Sequence, residues 1–106
     1  MENRLGCNEL LELLKKAKSR QTHDGNFAFS ISNKLQEQTR RGTDRDRWPE
    51  ILADALAKEI SQETVNLDRV NALLILFSNC CGIHNLTDIC DLLFSGVTFT
   101  PESQQL

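Results

Sequence analysis

The sequence predicts an all-α domain, and three observations carry that prediction. Apolar residues recur at helical spacing in segment after segment. No segment alternates apolar and polar residues with β-branched enrichment for long enough to make a strand. Cap and turn residues punctuate the chain at helix-length intervals. About five helices are expected, arranged as stacked antiparallel hairpins, either HEAT-like or as a compact bundle.

The first helix is expected over about 8–20. Leu10, Leu11, Leu13, Leu14 and Ala17 share an apolar stripe, with Glu9 and Glu12 early and Lys15, Lys16 and Lys18 late. That order complements the helix dipole at both ends. Leu10-Leu11-Glu12-Leu13-Leu14 also has the LxxLL pattern of groove-docking helices, but a helix that buries this stripe in its own core cannot present it. A turn cluster of Thr22, His23, Asp24, Gly25 and Asn26 follows. The second helix places Phe27, Ile31 and Leu35 on one line and stops near Arg40, Arg41 and Gly42.

Trp48-Pro49 opens a third helix, since proline is tolerated at the first helical position. Its expected buried face is Trp48, Leu52, Ala55, Leu56 and Ile60. Asn66 is the expected N-cap of a fourth helix that reaches Cys81 and ends before Gly82. The run Ala72-Leu73-Leu74-Ile75-Leu76-Phe77 is apolar on every side, which predicts a central position. Asn85 caps a fifth helix, with Asp88 as its acidic third residue, through Phe94. Residues 1–96 form the expected single domain, and 97–106 an extended tail.

The 106 residues suffice for one domain and not for two, and a hydrophobic share of 40 % argues against wholesale disorder. The apolar run is too short to cross a bilayer, and the first seven residues lack a secretory h-region. A cytoplasmic protein, or a nuclear one, is therefore expected, with no membrane partner.

The net charge of −3 hides an asymmetry: residues 1–47 carry +3 and residues 48–106 carry −6. The basic half concentrates Lys15, Lys16, Lys18, Arg20, Lys34, Arg40, Arg41, Arg45 and Arg47, opposed by Asp24, Glu37, Asp44 and Asp46. Such a face steers toward polyanions or acidic partners. For an RNA ligand the expected contacts are Lys15, Lys16, Lys18, Arg20, Arg40 and Arg41, although the acidic half would repel the same ligand.

Cys80, Cys81, His84 and Cys90 are all zinc-ligating types. Their spacing is poor for a site, and each cysteine falls on an apolar helix stripe: Cys80 and Cys81 with Leu73, Leu74 and Phe77, and Cys90 with Leu86, Ile89, Leu93 and Phe94. Core packing is the expectation, with no metal, no cofactor and no disulfide. There is no Ser-His-Asp set, no phosphate-binding loop and no paired carboxylates in apolar surroundings, so no catalytic residue is assigned and no enzyme is expected.

The run Glu9 to Ala17 (Glu-Leu-Leu-Glu-Leu-Leu-Lys-Lys-Ala), followed after a turn by Asn26-Phe27, resembles the middle domain of the eukaryotic translation-initiation scaffold factor 4G and its relatives. The segment 48–60 is similar to that family's next helix, and 69–93 to the hairpin after it. The chain is about half the usual length of that domain, and Ile31, Ser32 and Lys34 stand where the family favours tyrosine, alanine and leucine. The resemblance implies a HEAT-type scaffold, acting in translation or mRNA metabolism, that binds a DEAD-box helicase or another translation factor. It also implies partner contacts beside the two matched helices, at Lys34, Arg40, Arg41 and Arg47, with Arg45 in the charged linker between them. A non-catalytic adaptor for another protein is thus the leading expectation. An RNA-binding regulator, or a helical module that self-associates through Phe29, Ile75 or Phe99, are the alternatives.

Overall fold

The computed structural model describes residues 6–40 and 47–94. The expected tail at 97–106, with Phe99, lies outside them, as do Arg41 and Arg45. Among the described residues there are five α-helices and no strand: α1 Cys7–Lys18, α2 Gly25–Arg40, α3 Trp48–Ile60, α4 Leu67–Cys81 and α5 Leu86–Phe94.

The helix ends follow from local chemistry. Glu9 Oε1 reaches back to accept from the Gly6 backbone N–H at 2.8 Å and closes the start of α1. Asp24 caps α2 by accepting from the Phe27 N–H at 2.9 Å. Asn66 accepts from the Asp68 and Arg69 N–H groups at 3.0 and 3.2 Å, and Asn85 from that of Thr87 at 2.8 Å. These side chains satisfy amide donors that have no partner within the helix. Gly82 ends α4 with φ +70°, a left-handed conformation that side chains disfavour. The chain there turns so that the Ile83 N–H donates to the Phe77 carbonyl at 3.0 Å.

α4 is the hub, as its all-round apolar sequence predicts. Val70, Ala72, Leu73 and Phe77 are fully buried. The helices α1, α2 and α3 all pack on α4, while α5 packs on α1 and α3. α1 and α2, although consecutive, do not pack on each other. The arrangement is therefore the compact bundle rather than a stack of successive hairpins. The reason lies in the α1–α2 turn, which is anchored on the start of α4. The Asp24 N–H donates to the Asp68 carbonyl at 3.2 Å, Asn71 Nδ2 donates to the Thr22 carbonyl at 3.1 Å, and Arg20 pairs with Asp68. Those bonds tie the α1–α2 turn to the first turn of α4, so that α1 and α2 each pack on α4 and not on one another.

Leu10 and Leu14 of the LxxLL run are buried, so that stripe belongs to the core. Two expected faces are corrected. In α3 the inward residues are Trp48, Leu52, Ala53, Leu56 and Glu59, with Ala55 and Ile60 only half-buried. Glu59 can turn inward because Arg69 of α4 supplies a cation 3.5 Å away, whereas an unpaired carboxylate would not be buried. In α5 Ile89 and Cys90 are buried, but Phe94, at the C-terminal end of the helix, is exposed.

Candidate functional site

The residues named for partner binding fall on different elements. Lys34 and Arg40 stand on the outward side of α2, both exposed and neither in an ion pair among the described residues. Arg47, at the entrance to α3, is also exposed but is committed to Glu50, with Nη2 2.8 Å from Oε1.

α2 buries Ile31 and Leu35 against the core. Its opposite side carries Phe29, a large apolar ring that is 68 % exposed. Residues 29, 33, 36 and 40 succeed one another at helical spacing, so Phe29 and Arg40 lie on one stripe, with Lys34 and Glu37 on the next. Ser30, Asn33, Lys34, Gln36, Glu37 and Arg40 line a shallow depression of about 250 Å³ along this face. An apolar anchor at one end and two cations beside a polar furrow can engage an acidic, partly apolar surface. Arginine adds a planar fork that pairs with a carboxylate in two hydrogen bonds.

The residues named for RNA are less well gathered. Lys15 lies 3.8 Å from Glu12. Arg20, on the exposed α1–α2 turn, is paired with Asp68. Lys16 and Lys18 are exposed on α1, a helix that does not pack on the α2 carrying Arg40.

The cysteines do not converge. Cys90 is buried, Cys80 and Cys81 are half-buried against the core, and Cys7 is exposed; none of the four is in a disulfide. Among the described residues no three His, Cys, Asp or Glu side chains stand together as a metal set. No described helix is long and apolar enough to cross a membrane.

One grouping escapes the sequence. Ser78 Oγ and His84 Nδ1 lie 2.7 Å apart at the α4–α5 junction, where Lys18 of α1 also arrives. The only local signal is the polar pair Ser78-Asn79 interrupting an apolar helix just before its terminating glycine. Comparison with protein families, with curated proteins and with solved structures yields no match to this chain.

Proposed function

We propose that the chain is a non-catalytic helical adaptor whose main ligand is another protein, bound on the outward face of α2. The observation that carries this reading is Phe29, 68 % exposed on the same α2 stripe as Arg40 and about three turns from it, with neither Lys34 nor Arg40 in an ion pair among the described residues. Exposed aromatic rings and arginines are the residue types enriched where proteins dock. The partner surface is accordingly acidic, with an apolar socket for the ring. The likeness of the first helices to the translation-initiation scaffold supports a setting in translation or mRNA metabolism, with a translation factor or DEAD-box helicase as partner. RNA is the weaker ligand, because Lys15 and Arg20 are already engaged by Glu12 and Asp68.

A photoreactive phenylalanine analogue at position 29 tests the reading in cell extract. One discrete protein adduct is expected, lost when Lys34→Glu and Arg40→Glu are combined in a variant of unchanged helical signal. An adduct only with a second copy of this chain, an RNA adduct, or recovery indifferent to those charge reversals would remove the adaptor site.

A further inference from the structure

α4 and α5 diverge by 98° across residues 82–85. The two helices do not pack on each other, since α5 lies on α1 and α3 instead. The wedge between them is an open crevice of about 210 Å³, lined also by Lys18 of α1. Its walls are aliphatic: Leu74 and Ile75 from α4, Ile83 from the connection, and Leu86 and Ile89 from α5. Ile75 is the one residue of the central apolar run left half-exposed, and it is exposed here.

The polar lining is one-sided. Lys18, Asn71, Ser78, Asn79 and His84 contribute to it, and no Asp or Glu does. Lys18 makes no ion pair among the described residues, although Lys15 and Lys58, on similar exposed helix faces, both do. Ser78 Oγ lies 2.7 Å from His84 Nδ1 and orients the imidazole; with the hydroxyl as the donor, the ring keeps its own N–H at Nε2, the form that can donate to an anion. A cation, an amide and an imidazole beside five aliphatic side chains make an amphipathic receptor for an anion. A single lysine suits a monoanion rather than a phosphate dianion, which draws on several cations or a row of backbone N–H groups. The volume sets the tail: a dry cavity of about 150 Å³ holds benzene in another helical protein, so 210 Å³ accepts one ring with its carboxylate.

We propose that the α4–α5 crevice binds a small carboxylate bearing one apolar ring, with the ring between Ile75 and Leu86 and the carboxylate at Lys18, Asn79 and His84. This site lies apart from the α2 face and stands independently of the adaptor reading.

Titration of the full chain with phenylacetate, followed by two-dimensional amide NMR, tests the site. Saturable shifts are expected at Ser78, Asn79, Ile83 and His84. Acetate, which lacks the ring, and phenylacetamide, which lacks the charge, are each expected to bind about tenfold more weakly, as is phenylacetate to Lys18→Gln. Lys18 is exposed, so that variant keeps the fold, which the same spectra verify. Shifts that do not saturate, or that scatter away from the crevice, would overturn the site. Equal binding of phenylacetamide, or indifference to Lys18→Gln, would overturn the anionic ligand.

Discussion

The Arg69 guanidinium of α4 lies 5.0 Å from the centroid of the Phe27 ring of α2. Its Nε is 3.4 Å from Asp24, the cap of that same helix, and its Nη1 is 3.5 Å from Glu59 of α3. One side chain thus ties α2, α3 and α4 at their junction. Asp24 and Glu59 stand 45 and 10 residues away along the chain, so only the folded state unites them.

Arg69→Met keeps the apolar stem but removes the charge, leaving Glu59 buried without its cation. The expected destabilisation is about 1–3 kcal/mol, below the full cost of breaking a buried pair because Arg69 itself is half-exposed. Arg69→Lys should recover only part of this, since a point charge cannot serve both carboxylates and the ring. Urea midpoints of the three proteins measure it, and equal midpoints would contradict the clamp.

Asp24 gives the clamp a pH dependence. Its carboxyl is held below the ordinary value of 3.8, first by the hydrogen bond from the Phe27 N–H and then by Arg69. A carboxyl depressed in the folded state stabilises the fold above its unfolded pKa, and that gain is lost as the pH falls through the folded pKa. The stability advantage of the native protein over Asp24→Asn should be complete near about pH 6 and shrink below 3.8. Denaturation at a series of pH values checks this; a gap constant down to strong acid would show that the charge plays no part.

Local structure was legible in the sequence, and long-range structure was not. Asn66, Asn85 and Gly82 each mark a helix end through groups within a few residues, and the structure uses each of them that way. The Ile31 and Leu35 stripe and the central place of α4 follow equally from spacing. Which helices touch depends on contacts between distant residues, as in the pairs Arg20–Asp68 and Thr22–Asn71, some 48 and 49 residues apart. Periodicity carries no information about such pairs. The inward turn of Glu59 depends on Arg69 in the same way. Of the candidate sites, the exposed Phe29 and Lys34 could be read from α2 alone. The crevice exists only because α5 leaves α4 at a steep angle, and that angle is a tertiary fact.

The thiols should separate by reactivity. Cys90 is 2 % exposed. Burial pushes its thiol pKa up, with smaller contributions from Cys7 and Asp91, so little thiolate is present near neutral pH. Cys7 is exposed at the start of α1. An alkylating reagent should modify Cys7 first, while Cys90 reacts only after denaturation. Mass spectrometry of digested, time-quenched samples reads the order. Rapid labelling of Cys90 in the native protein would mean that α5 detaches readily from α1 and α3.

Phe29 and Trp48 supply the last contrast, because both are large aromatic residues on helices yet stand on opposite sides of the surface. Trp48 is only 9 % exposed and joins the core cluster with Leu52 and Leu56. Its removal leaves a cavity that surrounding side chains fill only in part, and Trp48→Ala should cost about 3–5 kcal/mol. Phe29 is 68 % exposed, so Phe29→Ala removes little buried area and should shift stability by no more than about 0.5 kcal/mol. Partner capture should behave in the reverse sense. Phe29→Ala is expected to lose the adduct partner at full stability. Conditions mild enough to keep Trp48→Ala folded should retain that partner. A Trp48→Ala protein with an unchanged urea midpoint would move Trp48 out of the core and make it, not Phe29, the aromatic anchor at the surface.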